Sequence, residues 1–205
     1  SGLHIFKADS VVIDKLSESK SLLGNGKLQH SFPHSWRSKA PLVYRATPQW
    51  FISMEKNNLR KKALKAIDDT TFYPPRGKDR IRSMIETRPD WCISRQRIWG
   101  VPLPLFISKK TKEPLKDSSV IENIAKIYEK EGSDCWFTDD PQKFLGKKYK
   151  KEDYIKTSDI VEVWFDSGAT HSYVLEKRKD LIWPASMYLE GSDQHRGWFH
   201  SSLLE

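Results

Sequence analysis

The chain carries only two cysteines in 205 residues, Cys92 and Cys135, far apart and without metal-ligand spacing. That excludes a disulfide-stapled scaffold, and the thiols read as reduced groups in a cytosolic protein. No apolar run is long enough to cross a bilayer, so no membrane partner is expected. No signal-peptide pattern opens the sequence, and no internal repeat or low-complexity linker interrupts it. No Gly-x-Ser-x-Gly elbow surrounds Ser167, so Asp166, Ser167 and His171 make no case for a hydrolase triad. His195 and His200 are five apart, a spacing that does not hold two metal ligands on one helix face.

What is present suffices for a real core. Hydrophobic residues make up 38% and aromatics 12%, enough for one large domain or two small ones. Lysine and arginine exceed the acids by 35 to 27, and the net charge of +8 invites a nucleic-acid partner. Runs such as Lys147-Lys148-Tyr149-Lys150-Lys151 serve equally to solvate a surface, so charge alone leaves both readings open.

Ser10 to Ile13 has strand character, Gly24-Asn25-Gly26 suits a turn, and Leu42 to Tyr44 reads as a buried strand. Leu59, Ala63, Leu64 and Ile67 recur at helical spacing. Ile81, Met84 and Ile85 mark a second helix that Pro89 stops. Ile93 and Val101 to Phe106 predict strand broken at Trp99-Gly100. From about 107 to 155 the chain turns Lys- and Glu-rich, with a capping box at Ser119-x-x-Glu122. Its helical stripe of Val120, Ile121, Ile124, Ile127 and Tyr128 ends at Gly132. Ile160 to Phe165 and Met187 to Leu189 restore strand patterns around a helix-compatible stretch, an order that predicts a parallel α/β sheet.

The richest stretch runs from Ser186 to Phe199, where an apolar strand meets Glu190-Gly191-Ser192-Asp193-Gln194 and then a helix. In open α/β sheets ligands bind where strand ends meet helix starts. Gly191 permits close backbone approach, and Asp193 suits either a helix N-cap or a ligand hydroxyl. Glu190 is either a ligand-facing carboxylate or a surface charge. Arg95 and Arg97 could meet phosphate or brace the domain through carboxylates, and the residues leave those readings level.

Tyr188 to Phe199 resembles the adenylate-binding strand-turn-helix of the isoleucyl-tRNA synthetases, within the class I aminoacyl-tRNA synthetase family. Three further segments resemble the family in its order: Arg45 to Ile52, Arg88 to Pro102, and Asp159 to Gly168 with Val163-Trp164-Phe165-Asp166-Ser167-Gly168 at its heart. The valyl enzymes are the close alternative, which Leu189 to Gln194 argues against. A stand-alone RNA- or nucleotide-binding module derived from a synthetase is the alternative of another kind.

The resemblance implies a partial Rossmann-like nucleotide-binding fold. Residues 1–31 would be the tail of an editing insertion and 32–106 the return into the catalytic core. Residues 107–155 would form a small peripheral α+β insertion, and 156–205 the second half of the catalytic domain. Isoleucyl-adenylate would be bound by Glu190, Gly191, Asp193 and Gln194, and the amino-acid side chain by Trp164 and Trp198. The implied substrates are isoleucine, ATP with Mg²⁺, and tRNA(Ile), in a monomeric cytoplasmic enzyme, with Arg95 and Arg97 as candidate tRNA contacts beside their bracing alternative. The family's His-x-Gly-His and Lys-Met-Ser-Lys-Ser elements and its Thr-rich and Gly-His-Gly editing segments do not occur here. The resemblance therefore implies an internal piece of a longer enzyme, inactive alone.

In relatives the positions of Ser35 and Ser38 can be cysteines of a Cys-x-x-Cys metal knuckle. Serine hydroxyls are poor Zn²⁺ ligands beside thiolates, so no zinc is expected. Metal analysis of protein purified without chelator should find far less than one equivalent of zinc. A stoichiometric signal lost on changing either cysteine would contradict this.

Overall fold

A computed structural model describes residues 2–205, and the chain divides into two units, residues 1–47 and 48–205. Among its described residues the first unit holds one α-helix, α1 (Ala8–Glu18), entered through a 3₁₀ turn at Ile5–Lys7. Ser10 to Ile13 lies inside α1 and is not a strand. β-branched residues favour strands only where a neighbouring strand offers a ladder, and none is present among the described residues. For the same reason Gly24 to Gly26 forms no hairpin turn and carries no regular structure. Leu42, Val43 and Tyr44 also form no strand and stay exposed. Between them the serine knuckle closes on itself. Ser35 N–H donates to the Ala40 carbonyl (2.8 Å), while Ser35 Oγ accepts from Ser38 N–H (3.2 Å).

In the second unit β1 (Phe51–Ile52) is followed by α2 (Leu59–Asp68) and α3 (Arg76–Glu86). The helical spacing read from the sequence places Ala63, Ile67, Ile81 and Ile85 in one core with Met54, Trp91 and Leu204. Arg60 fastens the end of α3. Its guanidinium donates to the carbonyls of Ile85, Glu86 and Arg88 and pairs with Glu55, satisfying acceptors that a helix end leaves bare.

The strands that follow are β2 (Trp91–Cys92), β3 (Ser94–Arg95) and β4 (Phe106–Ser108). Then come α4 (Ser118–Glu131), α5 (Cys135–Thr138), α6 (Pro141–Leu145), β5 (Tyr154–Lys156) and β6 (Ile160–Val161). All pairings are antiparallel: β1 with β2, β3 with β6, and β4 with β5. The expected parallel sheet is thus absent among the described residues. A parallel neighbour must be brought alongside by a crossover, and Met187 to Leu189 finds none. That segment is not a strand, and Leu189 is 85% exposed. The expected strand 160–165 stops at Val161, because Glu162 caps a helix, α7 (Val163–Gly168), with its side chain accepting from Trp164 N–H at 3.0 Å. The strand expected from Val101 begins only at Phe106.

A second cluster gathers Phe106, Val120, Ile124, Trp136, Phe144 and Leu145. The cap of α4 is Asp117, which accepts from Ser119 N–H (2.9 Å) and Ser119 Oγ–H (2.7 Å), so Ser119 is the second residue of the helix and not the N-cap that the capping box predicted. Gly132 does end the helix, at φ +81°. Ile121 points out at 55% exposure, narrowing the predicted stripe. Trp136 is fully buried between Phe106 and Phe144, and its indole N–H donates to the Thr157 carbonyl (2.8 Å). Trp136→Ala should cost about 3–5 kcal/mol. Ile121→Ala should cost less than about 0.5 kcal/mol. Urea unfolding of the two variants would measure both, and equal losses would refute this account of the second core.

Candidate functional site

The segment singled out by sequence is built around two turns. Gly191 is extended, Ser192–Arg196 winds as a 3₁₀ helix, and Gly197 breaks into α8 (Trp198–Leu204). The helix is capped by Gln194, whose Oε1 accepts from Trp198 N–H at 2.9 Å, and not by Asp193. The 3₁₀ turn moves the helix start to Trp198, five residues beyond the cap expected from sequence, so Asp193 stays exposed, its carboxylate meeting Gln194 Nε2 at 3.4 Å. A side chain at Gly197 would come within 2.2 Å of Gln194 Oε1 and 3.0 Å of the Trp164 ring, so it would push aside the amide that holds the start of α8.

Both predicted pocket tryptophans therefore flank Gly197. Trp164 remains 42% exposed. Trp198 is half-buried, stacks on Tyr188 with centroids 3.8 Å apart, and donates its indole N–H to the Ser167 carbonyl (2.9 Å). Glu190 and Gly191 face elsewhere. They line a mostly apolar cavity of about 560 Å³ with Phe72, Tyr73, His195 and Phe199. His195 Nδ1 lies 2.8 Å from the Ser192 carbonyl, which can only accept, so Nδ1 is the donor in that bond.

The two arginines separate. Arg95 donates to the carbonyls of Cys92 (2.9 Å) and Ser94 (2.8 Å) and lies 3.7 Å from Glu162, a bracing role. Arg97 makes no ion pair among the described residues. Both line a cavity of about 380 Å³ with Trp99, Glu162 and Asp166.

Behind this surface lies a charged core that sequence reasoning missed. Glu162 is only 5% exposed. Its one sequence signal is an acid inside the apolar run Ile160-Val161-Glu162-Val163. Burial and the neighbouring Glu162 raise the Asp166 carboxyl above its ordinary range. Burial, with Asp166 and Glu162 nearby, pushes Glu205 up to about 7. Arg88 lies over the Trp91 ring and places Nη1 3.2 Å from the ring nitrogens of His200. Burial first, then Arg88 and Arg196, drives His200 down to about 4, so at neutral pH it is an uncharged acceptor for Arg88. Glu131, Cys135 and Asp139 also converge, but Lys143 Nζ pairs with both carboxylates (2.5 and 2.7 Å), and burial raises the Cys135 thiol. An ammonium already supplies the cation there.

Residues 8–205 match the model of the tRNA synthetases class I (I, L, M and V). The chain belongs to the class I tRNA synthetase family. This synthetase segment is 76% identical over its whole length to an isoleucine–tRNA ligase of Pelagibacter ubique, covering 22% of that protein. It is 50% identical to the isoleucine–tRNA ligase of Gluconobacter oxydans over its whole length, covering 22% of it. Against that of Brucella abortus it is 54% identical over 97% of its length, covering 21%. The segment thus spans about a fifth of these relatives. None of its described helices is long and apolar enough to cross a membrane.

The buried ionisable groups predict how the synthetase segment responds to acid. His200 titrates near 6.5 when unfolded and about 4 when folded, so its contribution is present above 6.5 and lost as pH falls toward 4. Glu205 acts oppositely, its contribution lost as pH rises from 4.5 through about 7. The two slopes overlap, so comparison with a variant is needed. The stability of wild type relative to His200→Asn should fall steadily from pH 6.5 to pH 4 in urea titrations. A constant difference would show that His200 is not held neutral by the fold.

Proposed function

We propose that the chain is part of an isoleucine–tRNA ligase, contributing much of the surface that holds isoleucyl-adenylate. Support comes chiefly from 76% identity, over the whole chain, to a protein of that name. In that reaction a carboxylate oxygen of isoleucine attacks the α-phosphorus of ATP, and the bond to pyrophosphate breaks. The terminal ribose hydroxyl of tRNA(Ile) then takes the aminoacyl group and AMP leaves. Mg²⁺ enters with ATP as part of the substrate. Such chemistry asks the protein for positioning and charge stabilisation rather than a nucleophile.

The residues fit that demand. Glu190, at the mouth of an apolar cavity, offers a carboxylate to the substrate ammonium or an adenylate hydroxyl. Asp193 is exposed beside it, where two acceptor oxygens suit a ribose hydroxyl. Gln194 has its carbonyl oxygen committed to Trp198 N–H and one amide N–H turned to Asp193, so the second amide N–H remains for the ligand. Trp164, whose ring lies close to Gly197, and Trp198, next to it in the chain, supply aromatic walls for an aliphatic side chain. One methylene in such a pocket is worth only about 1–3 kcal/mol, isoleucine against valine being the standard case of that limit, so editing belongs elsewhere in the protein. In this reading residues 1–31 are the tail of the editing insertion and 32–106 the return into the core. Residues 107–155 are a peripheral insertion and 156–205 the second half of a Rossmann-like catalytic domain, in a monomeric cytoplasmic enzyme.

The 205-residue chain alone should show no isoleucine-dependent ATP–pyrophosphate exchange above background. In the longer protein that carries it, Glu190→Ala should slow exchange roughly tenfold to a few hundredfold, the loss of one charged hydrogen bond at a dry site. Trp198→Ala should instead raise the isoleucine KM and erode preference over valine. Because Trp198 also packs on Tyr188 and bonds to Ser167, each variant must first match wild type in urea unfolding. Wild-type exchange by folded Glu190→Ala would remove the central assignment.

A further inference from the structure

The loop 96–100 presents two large apolar side chains to solvent, Ile98 at 101% and Trp99 at 92% exposure. The display is held in place from below. At one end β3 pairs with β6 through Arg95 and Ile160, and at the other Val161 N–H donates to the Val101 carbonyl at 2.7 Å. Both ends of the loop thus rest on the same two-residue strand. Gly100 closes the turn at φ +147°, where a Cβ would lie 2.5 Å from Ile160 Cδ1, so no other residue fits that close approach. Gln96 is tied to Gln49 (3.2 Å) and Asp159 (3.4 Å). Within this anchored loop Arg97 makes no ion pair or side-chain hydrogen bond among the described residues, and it borders two cavities, of about 380 and 560 Å³. The carboxylate nearest the arginines, Glu162, is already balanced by Arg95 and by the helix it caps.

A fixed, exposed indole beside an unpaired guanidinium matches single-stranded nucleic acid, which is held by stacking on aromatic rings and by cations on its phosphates. We propose that Trp99 is a stacking platform for an unpaired base at the end of an RNA, with Arg97 on the adjoining phosphate. This rests on the reading that tRNA is a partner, and adds to it the residue that takes the base. The net charge of +8 favours a polyanion over an acidic-poor protein surface as occupant.

The test is binding of the 205-residue chain to a short RNA duplex with a four-nucleotide unpaired 3′ overhang, against the same duplex blunt-ended. No isoleucine or ATP is added, so adenylate formation is not at stake. Wild type should prefer the overhang. Trp99→Ala should weaken overhang binding about fivefold to a hundredfold while leaving the blunt duplex unchanged, and Trp99→Phe should restore most of it. Arg97→Ala should weaken binding and reduce the salt dependence of log K by about 0.7, the share of one single-strand phosphate. Trp99 is exposed, so its variants should unfold at the wild-type urea midpoint. Overhang binding within twofold of wild type in Trp99→Ala would overturn the platform alone, and would leave the indole to a protein contact. Failure of wild type to bind either RNA would overturn the platform together with the tRNA reading, with amino-acid activation untouched.

Discussion

One buried carboxylate holds the second unit together. Glu162 follows β6, its backbone N–H donates to the Ile93 carbonyl at 2.8 Å, and its side chain caps α7 while facing Arg95. A buried charge is costly unless it is met by donors and a counter-charge, and here it has both. Because α7 packs on α8, the direction in which Glu162 starts α7 also sets where α8 and Trp198 lie. Arg88 and His200 close the arrangement from the other side, a charged donor against a neutral acceptor. The two tryptophans and the exposed loop at Trp99 both take their positions from this one junction of β3, β6 and α7.

The candidate site therefore has two faces with different physics. On one, Glu190 and Gly191 border an apolar cavity walled by α2 and α3. On the other, Trp164 and Trp198 close around Gly197, with Gln194 fixing the helix start. Asp193 sits exposed in the turn that separates them. The proposed adenylate carries an ammonium, a ribose and a branched aliphatic side chain, one partner for each of these surfaces.

Helices with sustained periodicity were legible in the sequence: α2 and α3 bury the very residues, Ala63, Ile67, Ile81 and Ile85, whose spacing predicted them. Strands were not. Ser10 to Ile13 and Leu42 to Tyr44 have the composition of strands, but composition does not supply a ladder partner, and a strand without one is only coil or helix. Ile160 to Phe165 shows a second cause, since one acid in an apolar run turned a strand into a helix cap. At the site, residue identity was legible and orientation was not. That Gln194 and not Asp193 caps α8 depends on a 3₁₀ turn that no spacing rule announces. Arg88 and His200, 112 positions apart, could be joined only by the fold.

The second cluster, around Trp136, shares no buried residue with the core that carries the site. Two separate cores in one unit permit partial opening, because each can lose its own packing without exposing the other. Amides of α4 can therefore exchange with solvent through a local event that leaves β3, β6 and α8 closed. Residues 109–153 can likewise breathe, accept a cut or lengthen at an exposed tip while the ligand-facing turn keeps its geometry.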